Sequence, residues 1–159
     1  MSSDRVSVTR RIAAPAEKIF GIVSSPAGHV EIDGSGMLVA PASGNEPLTE
    51  VGQTFDIDMD RASLGDIPEM GKYQVRNTVT QIVPDRLFEW GIGGKDRPPI
   101  GHVYGWALAP VSDTETEVTN YCDWTAIPTE YRSAREWPVV PVHMLEQSVA
   151  NLERIATRD

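Results

Sequence analysis

A regular alternation of apolar and polar residues runs through the middle of this chain and constrains its fold more than any other feature. Between Val51 and Met59 the odd positions are mostly apolar, whereas Asp56, Asp58 and Asp60 fill the even ones. A period of two residues is that of a β-strand with one dry face and one wet face. We therefore predict a half-buried strand here.

Further alternating segments follow, and turn-forming residues separate them. Short connections between such segments favour hairpins, so the pattern predicts an antiparallel meander that ends near Pro128. Similar alternation between Val6 and Ile12 predicts a first strand at the amino terminus. The separating turns and loops are Leu64–Gly71, Pro84-Asp85, Gly93–Pro99 and Ser112–Thr114.

Helical segments are predicted on both sides of the meander. A short helix begins near Pro15, and Ser25-Pro26 begins a second one that ends before the glycine-rich turn at residues 33–36. The carboxyl-terminal segment predicts a long amphipathic helix over Val139–Thr157, with a separate short helical piece over Thr129–Trp137. Its apolar residues recur every three or four positions, at Val142, Leu145, Val149, Leu152 and Ile155, and its prolines, Pro138 and Pro141, are tolerated only in its first turn.

Length and composition indicate how many domains the chain forms and which partners it can bind. With 159 residues, 40% of them hydrophobic, and no internal repeat or linker, the chain is predicted to form a single domain over residues 1–159. The 23 acidic residues outnumber the 14 basic ones, giving a formal charge of -9. This charge repels phosphate groups and argues against binding to nucleic acid. No segment approaches the ~20 apolar residues of a membrane span, so we predict no integral membrane association.

Residue types also limit the chemistry. The single cysteine, Cys122, cannot form an intramolecular disulfide, which favours a cytoplasmic location, and we expect it to be an inert buried thiol. The three histidines are isolated and show no ligand spacing, so we predict no metal and no cofactor. Motifs for phosphate binding or for a nucleophilic serine are also missing from the sequence. The row of Asp56, Asp58 and Asp60 is interpreted as a solvated edge that resists aggregation.

Two local segments resemble a known family. Val8–Phe20 is similar to the opening strand and proline-led helix of the START-like superfamily, also called SRPBCC, and His29–Gly36 is similar to the end of its second short helix. The whole element order resembles the polyketide cyclase/dehydrase and lipid-transport branch. This resemblance implies the α+β helix-grip fold of the birch-pollen-allergen type, in which a curved antiparallel sheet wraps around a long carboxyl-terminal helix. It also implies a cavity that binds sterols, lipids or polyketides.

The inward side of the predicted sheet collects large apolar side chains. Such rings pack with gaps under a curved sheet, and a concave apolar space with a few polar groups is typical of small-molecule sites. Ordinary core packing is the alternative interpretation. The predicted ligand-binding residues of this set are Phe55, Met59, Tyr73, Phe88, Trp90, Tyr104, Trp106 and Trp124, and we expect the three tryptophans to line one space.

Asn77 and Asn120 share the same inward parity and are added to the predicted ligand-binding residues. A buried amide without partners costs roughly 1 to 3 kcal/mol, so a ligand or the neighbouring backbone must satisfy each one. His29 and Asp33 share a helix face four residues apart. We interpret Asp33 as the cap of the glycine turn and His29 as a residue of the surface or cavity rim, in preference to a catalytic pair.

These observations give three functional hypotheses. The first is a binding or carrier protein for a hydrophobic, ring-bearing small molecule or lipid, held between the sheet and the last helix. The second is an enzyme of the cyclase/dehydratase type, in which Tyr73, Tyr104 or His143 exchanges a proton in the same cavity. The third is an interaction module of the chaperone-activator kind, which requires an exposed apolar patch and a filled core.

Overall fold

The computed structural model describes residues 4–133 and 137–158, which form seven strands, four helices and two short 3-10 turns. The predicted order of elements is confirmed: one strand, two short helices, an antiparallel run of six strands and a long helix. The strands are β1 (Arg5–Ile12), β2 (Leu38–Pro41), β3 (Thr54–Asp60), β4 (Lys72–Val83), β5 (Leu87–Gly93), β6 (Val103–Ser112) and β7 (Glu115–Asp123). The helices are α1 (Ala16–Val23), α2 (Pro26–Ile32), α3 (Thr129–Arg132) and α4 (Val142–Ala156).

All seven strands form one curved antiparallel sheet, in the order β1-β7-β6-β5-β4-β3-β2. Each strand from β2 to β6 pairs with the next one along the chain, as expected for alternating segments joined by turns. The first strand crosses to the far edge and pairs with the last, with Val8 opposite Asn120. The predicted α+β helix-grip fold is therefore confirmed.

An irregularity in β4 changes which residues face inward. The register between β4 and β5 shifts between Val79 and Gln81, so that Gln81 pairs with Glu89 and Ile82 pairs with Phe88. A bulge of this kind reverses the parity of all following residues. Simple alternation therefore assigns Gln81 to the wrong face: its amide donates to Glu89 on the outer side of the sheet.

The outer face is less solvated than the sequence pattern predicts. Asp56 is buried, at 9% exposure, and accepts two hydrogen bonds from the Arg76 guanidinium at 2.8 and 3.0 Å. This ion pair holds the pKa of the Asp56 carboxyl below its ordinary value, with desolvation opposing the shift. Because β2 pairs outside β3, the aspartate row is not a solvated edge, and that interpretation is wrong.

The helices α1, α2 and α4 pack against different parts of the sheet. The long helix α4 packs against β1 and β7, whereas α1 contacts β5 and β6 and α2 contacts β2. Both short helices also pack against α4. Leu145, Val149 and Leu152 lie on the buried face of α4, as the three- and four-residue spacing predicts.

The long helix begins later than the sequence analysis places it. Pro141 has extended dihedral angles and lies immediately before the first helical residue, Val142, so both prolines stay outside the helix. The predicted start at Val139 is wrong, because a proline removes a backbone donor and tends to remain at or before a first turn. The predicted short piece over Thr129–Trp137 contains α3, and residues 134–136 of it lie outside the described residues.

A glycine fixes the distance between α2 and α4. A Cβ atom on Gly34 would lie 2.3 Å from the Met144 carbonyl oxygen, so no larger residue fits there without a shift of the backbone. The Gly34 amide donates to the Ser148 hydroxyl at 2.8 Å, and the Asn151 amide donates to the Ile32 carbonyl at 3.2 Å. The end of α2 is thus held tightly against the long helix.

We expect Leu152→Ala to lower the free energy of unfolding by about 2 to 5 kcal/mol, because Leu152 is fully buried between α4 and the sheet. Urea denaturation measures this change. Glu146→Ala on the exposed face of α4 is the matched control and should alter stability by less than about 0.5 kcal/mol. A loss below half a kcal/mol for Leu152→Ala would contradict the packing of α4.

Candidate functional site

A row of aromatic rings lies on the concave face of the sheet, and one histidine of α2 sits in the middle of it. The His29 ring centroid is 4.2 Å from that of Trp90, 5.1 Å from that of Phe55 and 5.7 Å from that of Phe88. The two phenylalanine contacts are edge-to-face, the geometry that suits the charge distribution of aromatic rings. We call Phe55, Phe88, Trp90 and Tyr104, together with His29, the ring row.

The ring row continues beyond Trp90 toward the carboxyl-terminal segment. Trp90 stacks on Tyr104 with centroids 5.9 Å apart, and Tyr104 lies 5.0 Å from the His102 ring. His102 in turn meets the edge of Trp137 at 4.7 Å. Side chains from α2, three strands and the segment before α4 thus form one continuous line of rings.

Four buried polar atoms of the described residues lack a hydrogen-bond partner, and all of them belong to this line or flank it. They are both ring nitrogens of His29, the Oδ1 atom of Asn77 and the Nε1 atom of Trp137. Asn77 lies directly opposite Phe55 in the register between β3 and β4. More than nine in ten buried polar groups in proteins are hydrogen-bonded, so a cluster of unpartnered ones is the mark of a site.

Burial controls the protonation of the histidine. Desolvation lowers the pKa of His29 to about 4, and a weaker polar interaction with the Val23 backbone opposes the shift without reaching hydrogen-bond geometry. The imidazole is therefore neutral at physiological pH. One of its nitrogens carries a hydrogen and the other carries a lone pair, so it can both donate and accept.

Tyr104 in the line and Cys122 beside it are also held in their neutral forms. Burial raises the pKa of the Cys122 thiol to about 12, and the sulfur lies 3.3 Å from Nε2 of His102. The pKa of Tyr104 is raised well above its ordinary value, chiefly by burial. A thiol that stays protonated is a poor nucleophile, which agrees with an inert Cys122.

The remaining residues predicted for the site take different positions. Met59 and Tyr73 pair across β3 and β4 and line a shallow depression of about 370 Å³ at the ends of these strands. Trp106 and Trp124 are buried in the same core, but the ring contacts of the row include only Trp90 of the three tryptophans predicted to line one space. Asn120 is buried and donates through Nδ2 to the Gly105 carbonyl at 3.0 Å.

The position of His29 corrects the sequence interpretation, which placed this residue at the surface or rim. Its exposure is only 5%. A signal was present in the spacing, because Pro26, His29 and Ile32 recur every three residues and form the buried face of α2. The interpretation of Asp33 as a cap is confirmed, since its carboxylate accepts hydrogen bonds from the backbone of Ser35 and Leu38. The sequence analysis also missed His102 and Trp137. Both lie outside the strands and helices, where no periodic pattern marks a buried side chain.

The rings of the row are in contact with one another. The best-formed depressions among the described residues lie elsewhere, the larger measuring about 500 Å³. It is lined by Arg76, Thr78 and the loop over residues 94–99, which folds back against Gly91 on the outer face. The contact of Pro99 with Gly91 shows that this loop packs on the outer side of the sheet.

Within residues 4–133 and 137–158, no group of three histidine, cysteine, aspartate or glutamate side chains is arranged to hold a metal ion. No helix in that part of the chain has the length and apolar character needed to cross a bilayer. The site is therefore described by its rings and its neutral polar groups.

The buried histidine predicts a pH dependence of stability. An unfolded chain takes up a proton on histidine near pH 6.5, whereas folded His29 does so only near pH 4, so the unfolded state binds more protons between these values. Stability is fully present above about pH 6.5 and falls toward pH 4. Relative to His29→Leu, wild-type protein should lose about 3 kcal/mol between pH 7 and pH 4, as measured by urea denaturation.

His143→Leu is the matched control for this experiment, because it removes an exposed histidine from α4 and leaves the buried side chains in place. Carboxylates elsewhere in the chain affect wild type and variants alike, so the difference between profiles isolates the histidine. Parallel profiles for wild type and His29→Leu would contradict the burial of a neutral imidazole.

The chain matches known proteins over most of its length. It is 34% identical over 122 residues to the uncharacterized protein Rv0088 of Mycobacterium tuberculosis, a match that covers 77% of this chain and 48% of the relative. A second M. tuberculosis protein, the uncharacterized MT0096, matches to the same extent. The chain thus spans about half the length of these curated relatives.

Solved structures with this fold come from several bacteria. Protein CV1439 of Chromobacterium violaceum superposes with a TM-score of 0.64 at 17% identity, over 98% of this chain and 99% of that one. Protein Ms6760 of Mycobacterium smegmatis gives 0.66 at 13% identity, over 98% and 92% of the two chains. An AHSA1-like protein of Aeromonas hydrophila gives 0.56 at 13% identity, over 94% and 90%. At these identities the likeness shows the fold alone.

The family assignment rests on the sequence itself. Residues 3–158 match the family model described as polyketide cyclase / dehydrase and lipid transport, which is nearly the entire chain. The matched region includes both segments on which the resemblance was first based, and it contains every residue of the ring row. The chain therefore belongs to the polyketide cyclase/dehydrase and lipid-transport family of the START-like superfamily.

Proposed function

We propose that this chain is a binding or carrier protein for a hydrophobic, ring-bearing small molecule or lipid. The single observation that carries the proposal is the concentration of unpartnered buried polar atoms along one aromatic row. Each such atom costs roughly 1 to 3 kcal/mol of folding stability, a cost that a purely structural core avoids. Apolar walls with a few convergent polar groups are the composition of small-molecule sites. Family membership supports a hydrophobic ligand as well.

The proposed binding surface is the concave side of the sheet under α2 and α4. His29, Phe55 and Asn77 form its centre, and Trp90 carries the contact surface onward. The ligand-binding residues predicted from sequence make up the rest of the proposed lining: Met59, Tyr73, Phe88, Tyr104, Trp106, Asn120 and Trp124. Asn120 contributes less to orientation than Asn77, because its Nδ2 donor is already bound to the Gly105 carbonyl.

Ligand entry requires the ring row to open. The rings are in mutual contact, so a ligand of similar size must displace one ring of the row. His29 on α2 is the one member of the ring row that lies on a helix. This helix has seven residues and lies between Ser25 and the glycine-rich turn at residues 33–36. Its carboxyl-terminal end is held to α4 by Ser148 and Asn151, so we propose that the helix pivots about that end.

The other hypotheses find less support. Enzymatic proton exchange by His143 fits poorly with the exposed position of that residue on α4, and Tyr104 is held in its neutral form. An interaction module agrees with the close packing of the ring row, but the exposed large apolar side chains of the described residues lie on different elements: Val39, Val51, Met70, Val83, Val111, Tyr131 and Val142. A single buried cysteine suits a reducing compartment, and we place the carrier in the cytoplasm.

A ligand panel tests the proposal. Cholesterol, palmitate and 2-naphthol are titrated separately into the protein, and the melting temperature and tryptophan fluorescence are recorded. At least one of them should raise the melting temperature saturably, because a ligand that binds only the folded state stabilises it by RT ln(1 + [L]/Kd), about 2.7 kcal/mol at one hundred times Kd. Trp90→Phe should reduce the fluorescence response while the melting shift remains, since Trp90 alone of the three core tryptophans belongs to the ring row.

If no member of the panel changes either signal, the carrier function is wrong and the interaction module becomes the leading hypothesis. A melting shift with an unchanged fluorescence response in Trp90→Phe would instead move the binding surface away from the ring row.

A further inference from the structure

We infer that His29 and Asn77 together determine ligand specificity, and that they select a hydrophobic ligand carrying a hydroxyl group. This inference rests on the proposed carrier function and adds to it the functional group that the ligand must present. Two residues at the ring row have buried polar atoms without hydrogen-bond partners: His29 on α2 and Asn77 on β4.

The two residues flank the same ring. The His29 imidazole meets the edge of Phe55 with centroids 5.1 Å apart, and Asn77 is the direct cross-strand neighbour of Phe55. Opposite residues of an antiparallel pair place their Cβ atoms about 4.5 to 5.5 Å apart on the same face of a sheet. Both polar groups therefore belong to one small region of the concave face, with Phe55 as its floor.

The hydrogen-bonding capacities of the two groups specify their common partner. The Oδ1 atom of Asn77 only accepts, so its partner must donate. A neutral imidazole offers one donor and one acceptor. A hydroxyl group donates one hydrogen and accepts through its lone pairs, so a single hydroxyl can donate to Asn77 and accept from His29 at the same time. A ketone only accepts and leaves Asn77 unpartnered, and a hydrocarbon satisfies neither residue.

A purely structural role for His29 is disfavoured by its surroundings. Its exposure is 5%, its neighbours are apolar rings, and neither ring nitrogen forms a hydrogen bond. An apolar side chain of similar volume fits this position without the loss of hydration that the imidazole suffers. Retention of a group that lowers folding stability is expected where function requires it. His29→Leu should therefore melt at a higher temperature than wild type at neutral pH, which a structural histidine would not do.

Two probes of matched shape test the inference. 2-Naphthol and 2-methylnaphthalene differ only by a hydroxyl in place of a methyl group, and their dissociation constants are measured by calorimetry at pH 7. Wild-type protein should bind 2-naphthol at least about tenfold more tightly, since one buried hydrogen bond corresponds to roughly that factor. His29→Leu and Asn77→Val should each reduce this preference to about threefold or less, while the affinity for 2-methylnaphthalene stays within about twofold of wild type.

Two further variants complete the experiment. His29→Gln keeps one donor and one acceptor and should restore part of the preference for 2-naphthol. His143→Leu removes an exposed histidine from α4 and should leave both affinities at their wild-type values. Retained binding of 2-methylnaphthalene also shows that each variant is folded with its apolar surface intact, which keeps the comparison of affinities valid.

The outcomes separate this inference from the function on which it rests. Equal affinities of wild type for the two probes, or an undiminished preference in either His29→Leu or Asn77→Val, would overturn the joint specificity role and leave the carrier function standing. Binding of neither probe to wild-type protein, together with failure of the wider panel, would overturn the carrier function itself and the inference with it.

Discussion

Cover of the concave face is the constraint on which the rest of this structure depends. A curved seven-stranded sheet with one apolar side must bury that side, and one helix of 15 residues does not cover it. The long helix α4 covers the end formed by β1 and β7, and the short helices α1 and α2 lie over other parts of the sheet. The short helix α1 lies over β5 and β6, whereas α2 packs against β2 and directs the His29 ring inward to Phe88 and Trp90 of β5.

The helices α2 and α4 cover the sheet with different kinds of side chain. The long helix is fixed by a continuous apolar face that includes Leu145, Val149 and Leu152. Its short neighbour is only seven residues long and presents a polar ring to an aromatic surface. Elements with few buried apolar contacts open at lower free energy than the core around them. The candidate specificity residue thus lies on the shorter of these two covering helices.

Close packing of the rings and a ligand-binding role are compatible on this view. The contacts of His29 with Phe55, Phe88 and Trp90 fill the middle of the concave face. In the proposed function a ligand ring replaces some of these ring contacts, and the hydroxyl of the ligand supplies the hydrogen bonds that the buried atoms of His29 and Asn77 lack. The apolar surface then supplies affinity and the two polar residues supply selectivity.

Local periodicity and contiguous motifs were enough to predict the elements, their antiparallel order, the fold and the family. The alternation around Phe55 and the spacing of Leu152 specify a strand and a helix without knowledge of their partners. Tertiary structure alone decided the rest. The bulge after Val79 turns the following residues of β4 to the opposite face of the sheet, which regular alternation does not predict. The ion pair of Asp56 with Arg76 depends on the register between β3 and β4. The burial of His29 depended on contacts of its ring with Phe88 and Trp90 of the distant strand β5, and no local pattern records such contacts.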